Sequence, residues 1–473
     1  MSKDSYQSVA AARRNVPHGP NHGYYLAQRP PEDPELTHVG PGTACGEYWR
    51  RFWFPFEMTE EVGDLPRRMR ILGEDLVVFR SRDGDYGLLH LHCSHRNSSL
   101  EFGIVENDGL RCCYHGWKYA PNGKVLETPG EPATSKIKDR ICHGAYPVHE
   151  YKGLLFTYMG PPDTVPPFPV YDTFDLPGHE LVPYRISYPC NWLQVAENTM
   201  DPIHTVYLHT RVSNVQFEPT WGVTPMIEFH DGDQHLYSTL TYRWGDNIWV
   251  RTQQTVFPSF SGVGAFWEDA TKEKVFFRSS ITKWTVPIDD THCMIIAWRH
   301  FGEGIDPDGR GKRDEVGVET VDFEGQTEQR SHYERQTTPG DYEAQVSQGA
   351  ISSHASENLG STDKGLMMLR RRLRMGIRDV ADGKLPPRPD PDDAEIPLYI
   401  QDTVMTVPQT PGEDDEALMK SVTDAVMEVV IAGDALRGAA RQDFIENGLR
   451  ALKNDPLFDL SGVTKPDDVP VGE

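Results

Sequence analysis

Between residues 47 and 159, short apolar, aromatic and β-branched runs alternate with breaks rich in Gly, Asn and Asp. That period of two predicts antiparallel strands. An aromatic strand is expected from Glu47 (EYWRRFWFPFEM), followed by strands in MRILGEDLVVFRS, at 88–92 and at 151–159. Pro121-Asn122-Gly123 supplies a hairpin signal. A proline-rich exit at 160–177 leads to a strand at 181–188, and residues 224–302 alternate again, predicting one multistranded antiparallel sheet. Beyond a charged, Gly-rich loop at 303–318 the period becomes helical. Over 341–382 it gathers Leu366, Met367, Leu369, Leu373 and Ile377 on one face above the basic run RRRLR, and 413–453 forms a second helical region. The basic run reads as a solvated or interface face rather than a polyanion site. Residues 385–397, with five prolines, are expected to be extended.

This order describes an α+β protein, in which a small antiparallel β unit precedes a larger antiparallel sheet flanked by helices. The expected divisions are an arm at 1–46, the small β domain at 47–159, a catalytic domain at 160–382, and a C-terminal extension at 383–473 whose helix packs on the catalytic domain. At 473 residues the chain is long enough for two domains. The apolar run at 425–432 is short and carries Glu428, so no membrane span is expected. The N-terminus lacks a hydrophobic signal core, which points to the cytoplasm. Seven dispersed cysteines are not a disulfide framework, and a net charge of −24 argues against nucleic acid.

The chemistry concentrates at 91–119, LHCSHRNSSLEFGIVENDGLRCCYHGWKY. Cys93-x-His95 and Cys112-x-x-His115 stand sixteen residues apart. Two thiolates and two imidazoles from tight loops suit one zinc ion or one 2Fe–2S cluster. Cys113-Tyr114-His115 also spells Cys-x-His, while His90 and His92 read as ordinary strand residues. The unequal spacing, with Gly116-Trp117 following, resembles the Rieske proteins, and their ligand order selects Cys93, His95, Cys112 and His115. In such a cluster neutral imidazoles replace two anionic thiolates. That raises the reduction potential and makes an electron relay.

A second constellation lies at 191–211, NWLQVAENTMDPIHTVYLHTR. Two imidazoles and a carboxylate bind non-haem Fe(II) with an open face for dioxygen. On a regular helix His204 and His209 would point about 140° apart. The helix must bulge, unwind or end between them if both bind one metal. Asn191, Gln194, Glu197, Asn198, Asp201, His204 and His209 stand in the pattern N-W-x-x-x-x-E-N-x-x-D-x-x-H-x-x-x-x-H. With the upstream stretch, this resembles the α-subunits of Rieske non-haem iron aromatic ring-hydroxylating oxygenases over roughly 45–380.

The segment from Asp341, DYEAQVSQGAISSHASENLGSTDKG, is similar to the phthalate dioxygenase and aromatic O-demethylase branch. There the third iron ligand is an Asp about six residues before Ser-Gln-Gly, which selects Asp341, with Glu343 second and Asp363 read as lying near a helix N-terminus. An N-cap after Pro339-Gly340 is the other reading of Asp341. The resemblance implies that Asp201, expected on the same helix one turn before His204, bridges the Rieske cluster of one subunit to the iron of its neighbour. Asn198 is placed either beside the open iron face or as a structural amide.

These implications make the chain a terminal oxygenase that uses O₂ and NADH electrons delivered by a separate flavin and iron–sulfur reductase. The expected assembly is a homotrimer or a hexamer. The favoured reaction is O-demethylation of a methoxylated, possibly biaryl, aromatic acid with release of formaldehyde. Cis-dihydroxylation of a phthalate-like carboxylate is the alternative, and an electron carrier without oxygenase activity is the remote one. Arg211 and Arg251 are the candidate carboxylate partners.

Overall fold

The computed structural model describes residues 20–21, 23–26, 30–212, 215–302, 304–306, 308–390, 395–409, 412 and 414–453. Expectations for the first nineteen residues and for the tail from 454 lie outside them. Two four-stranded antiparallel sheets carry the loops at 91–119. One joins Arg67–Ile71, Glu74–Arg80, Tyr86–His90 and Ala145–Tyr146; the other joins Ile104–Glu106, Gly109–Arg111, Lys118–Tyr119 and Val125–Glu127. They share their own core of Val77, Phe79, Leu89, Leu100, Leu110 and Tyr119. Leu72 and Gly73 turn the first hairpin with positive φ at both residues, a geometry matched to strand twist.

The aromatic stretch from Glu47 is not one strand. Thr43 caps a helix over Ala44–Trp49 by accepting from Gly46 N–H, and the strand begins only at Trp53–Met58. Tyr48 and Trp49 are buried by that helix, so aromatic richness there marks a core and not a strand. The expected strand at 151–159 is a hairpin, Val148–Tyr151 and Leu154–Tyr158, turned by Lys152-Gly153. Its sheet packs Phe156 against Trp284 and Trp298, ring centroids 5.4 and 6.0 Å apart, which ties it to the larger core.

The large sheet runs in the order Glu180–Tyr188, His292–Phe301, Ile281–Asp289, Phe260–Val263, Asn247–Val256, His235–Trp244, Met226–Asp231, every neighbour antiparallel. A strand in the C-terminal extension, Gln401–Thr406, pairs with Asn247–Val256 and with Lys274–Phe277. No strand was expected at 401–406. The extension also holds Asp415–Ala432 and Gly438–Leu452, which bury Val422, Val426, Ile445 and Leu449 against Ile248 and Val250. No helix of the described residues is long and apolar enough to cross a membrane.

The expected helical region at 341–382 is two helices, Asp341–Val346 and Lys364–Ala381, joined by a segment without regular helix. Leu369, Leu373 and Ile377 form the buried stripe of the second. Its basic run faces other parts of the chain: Arg374 pairs with Asp33 and Glu35, and Arg372 with Asp231. Arg370 donates from Nη2 to Glu197 (2.8 Å) and Glu357 (3.0 Å), all three side chains being largely shielded. Removing the guanidinium leaves two carboxylates facing each other. Arg370→Ala is therefore expected to cost about 3 kcal/mol, read as a lower thermal midpoint.

Candidate metal centres

In the small β unit, Cys93 and Cys112 are buried and adjacent, while His95 is exposed and His115 partly so. The imidazole rings lie 4.5 Å apart, and His95 stacks on buried Trp117 at 4.7 Å and 3°. Cys113 is exposed, so Cys112 is the cysteine facing Cys93. Gly116 has φ +73°, and its absent side chain leaves room for Pro129. His90 approaches Glu74 and His92 approaches the Asn97 carbonyl, as side chains of the sheet and its loop.

Two further contacts escaped the sequence reading. The Tyr119 hydroxyl lies 2.9 Å from Cys93 Sγ, and His143 links Ser94 Oγ (2.7 Å) to the His90 carbonyl (2.8 Å). Burial takes the His143 imidazole down to about 4, so it is neutral: Nε2–H donates to His90 and Nδ1 accepts from Ser94. Were Cys93 to hold a 2Fe–2S cluster as a thiolate, the Tyr119 hydroxyl would donate to it and stabilise the more negative, reduced cluster. Tyr119→Phe is expected to lower the midpoint potential by about 40 mV per kcal/mol of that stabilisation. Voltammetry of the purified protein checks this, and an unchanged potential refutes the bond.

In the larger unit the chain changes helix type between the two histidines. An α-turn, Ile203–Val206, passes into a π-helical turn, Tyr207–Arg211, in which Val212 N–H donates to the Tyr207 carbonyl. The wider turn brings residues five apart to one side. His204 and His209 meet with ring centroids 5.2 Å apart, and Asp341 closes the group: one ligand atom from each lies within 4.8 Å of the others. Asp341 is the first residue of its helix and Gly340 occupies the cap position. A Cβ on Gly340 would fall 2.3 Å from Gly325 Cα, so this close crossing requires glycine. The crossing sets Gln326 beside Asp341.

The proton positions favour a cation. His204 Nδ1 donates to the Asp201 carbonyl and His209 Nδ1 donates to the Gln216 Oε1, which turns both Nε2 lone pairs inward. Those nitrogens lie 3.6 and 3.5 Å from the two oxygens of Asp341, too far to be hydrogen bonds. Asn198 Nδ2 sits 2.9 Å from Asp341 Oδ1 and 3.1 Å from His204 Nε2, and Gln326 Nε2 donates to Oδ2 at 2.5 Å. Burial pushes the His209 imidazole below its usual range. Burial raises the Asp341 carboxyl, but His209, His204, the Gln326 amide and Lys283 together hold it below the usual range. Two imidazole nitrogens and a carboxylate face one point without direct hydrogen bonds to one another. That donor set fits a divalent metal with nitrogen and oxygen ligands.

Glu343 pairs with Arg330 and Arg335 and accepts from Gly340 N–H, away from this point. Asp363 flanks the N-terminus of Lys364–Ala381. Asp201 does not share a helix with His204. It sits in the break between Glu197–Met200 and Ile203–Val206 at φ −117°, ψ 77°, with its carbonyl on His204. Gln216 and Gln326 were missed, because no spacing rule links an orienting amide to its histidine or aspartate.

Beside the three residues lies a small cavity. Phe217, Trp221, Phe266 and Phe323 wall it, and Gln253, Val263, Ile281, Lys283 and Ile295 enter it from the large sheet. Arg211 and Arg251 do not line it. Arg211 donates to the Gly222 carbonyl, and Arg251 is buried beside Asp402 and against Trp221.

Residues 52–149 match the Rieske [2Fe-2S] domain family. The tert-butanol monooxygenase / tert-amyl alcohol desaturase oxygenase subunit of Aquincola tertiaricarbonis is 38% identical, over 88% of this chain and 92% of that protein. The chain belongs to the Rieske non-haem iron oxygenases. It is similar also to the phenoxybenzoate dioxygenase subunit alpha of Ectopseudomonas oleovorans (35%, over 74% of this chain and 86% of that one). The 5,5'-dehydrodivanillate O-demethylase oxygenase subunit of a Sphingobium species is 34% identical, over 75% and 82%. This Rieske oxygenase is thus a terminal oxygenase subunit, an enzyme with an α+β fold.

Proposed function

We propose that this Rieske oxygenase hydroxylates a saturated carbon of an aromatic acid, with a methoxy carbon as the target. Cys93, His95, Cys112 and His115 hold the 2Fe–2S cluster, and His204, His209 and Asp341 hold Fe(II). The observation that carries the reading is the aromatic cavity opening directly on the His204–His209–Asp341 point. The relatives named as monooxygenase and as O-demethylase support attack at saturated carbon.

Iron in this donor set supplies dioxygen activation. The protein's own part is positioning. Phe217, Phe266 and Phe323 give an aromatic substrate an apolar wall and exclude water. The Asp201 and Gln216 carbonyl oxygens fix the two imidazoles, and Asn198 and Gln326 fix the carboxylate. The overall change takes an aryl methyl ether, O₂, NADH and a proton to the hemiacetal, NAD⁺ and water. The hemiacetal then loses formaldehyde and leaves a phenol. Electrons come from NADH through a separate flavin and iron–sulfur reductase, and the assembly is a cytoplasmic homotrimer, or a hexamer of two such rings. In it Asp201, whose side chain has no partner among the described residues, accepts an N–H bond from a cluster histidine of the neighbouring subunit, while its backbone carbonyl holds His204.

Turnover with reductase, NADH and a panel of methoxylated and unsubstituted aromatic acids tests this. Formaldehyde with a phenol supports it. A product heavier by two oxygens and two hydrogens, without formaldehyde, overturns it in favour of ring dihydroxylation.

A further inference from the structure

The reaction leaves one charged side chain of the cavity without a task. Lys283 projects from Ile281–Asp289 on the same face as Ile281, two residues earlier, and both line the cavity. Its ammonium has no hydrogen-bond or ion-pair partner among the described residues. Burial pushes the Lys283 ammonium below its usual range although Asp341 attracts it through space, and both Asp341 oxygens are already engaged by Asn198 and Gln326 and turned to the histidines. Gln253 and Tyr184 line the same cavity, and their side-chain polar groups likewise lack a hydrogen-bond partner among the described residues. An ammonium kept unpaired among Phe266, Ile281 and Ile295 is costly unless a ligand brings the opposite charge.

We propose that Lys283 is the specificity-determining anchor of the substrate, its ammonium receiving a carboxylate with help from Gln253 and Tyr184. The aromatic ring then lies along the phenylalanine wall, and its methoxy carbon is presented to His204, His209 and Asp341. This assignment rests on the reading of the cavity as the place of methoxy-carbon hydroxylation. In an apolar cavity an ammonium–carboxylate hydrogen bond is stronger than at the surface. It selects the acid over the matched alcohol by about ten- to a hundredfold.

Tryptophan fluorescence of the holoenzyme, with Trp221 as a cavity reporter, measures binding of 3-methoxybenzoate and 3-methoxybenzyl alcohol. The acid is expected to bind more tightly by that factor. Lys283→Gln is expected to weaken the acid alone, and Lys283→Arg to retain most of the preference. No preference in the native enzyme, or a preference unchanged by Lys283→Gln, overturns the assignment. Joint loss of both ligands together with iron also overturns it, showing Lys283 to be a charge partner of Asp341. Product analysis separates this from the reaction. Lys283-dependent acid binding with a dihydroxylated product sinks the demethylation reading and leaves the anchor standing. Formaldehyde release with Lys283-independent binding does the reverse.

Discussion

His209→Ala is expected to reduce iron from about three to about two per chain and to remove oxygenation while the Rieske spectrum persists. The residue is buried, its Nε2 faces Asp341 and its Nδ1 is held by Gln216, and no other imidazole among the described residues joins the group. The cluster loops fold around a separate core of Val77, Leu100 and Tyr119, which the substitution does not touch. Turnover should fall by more than about a hundredfold, beyond the 10–100-fold typical of losing an outer partner of a metal ligand. Metal analysis with the visible spectrum reads both centres at once. Undiminished iron with undiminished turnover would show that the metal is held elsewhere. Asp341→Ala should behave alike, because it removes the one anionic ligand of the set.

Asp201→Asn is expected to leave both metal centres filled and the cluster reducible, yet to slow turnover by about 10–100-fold. The His204 ring is held by the Asp201 backbone carbonyl, which the substitution preserves, so iron binding should survive. A carboxylate accepts N–H bonds on both oxygens, whereas the amide presents a donor on one side and meets an imidazole N–H with another N–H. Rapid mixing of reduced enzyme with substrate and O₂ would show slow reoxidation of the cluster. Normal reoxidation would mean that electrons travel by another route, and loss of iron would assign Asp201 a structural role.

Much of this was legible because local chemistry is written in short spacings. Cys93-x-His95 and Cys112-x-x-His115 each sit on one tight loop, so spacing nearly fixes geometry, and the structure sets the two loops side by side. The His204–His209 separation announced an irregular helix, and a π-turn stands there. Alternation at 224–302 likewise foretold the sheet. Where aromatic residues suited both strand and helix, as in EYWRRFW, periodicity could not choose. The Thr43 cap and the packing of Trp49 on Trp192 accompany the helix.

Fold class, the ligand pairs at 91–119, the two histidines at 204 and 209 and the family resemblance were legible along the chain, since each depends on residues near one another in it. Tertiary structure alone decided how distant segments meet. It brought Asp341 to histidines more than 130 residues earlier, through the touching backbones of Gly325 and Gly340. It drew Gln401–Thr406 into the large sheet and turned the RRRLR face against Asp33, Glu35 and Glu197. It also placed Lys283 in the cavity, and neither Arg211 nor Arg251. Which residue fills a cavity depends on strand register and sheet order, and a long-range pairing leaves no signature in local spacing.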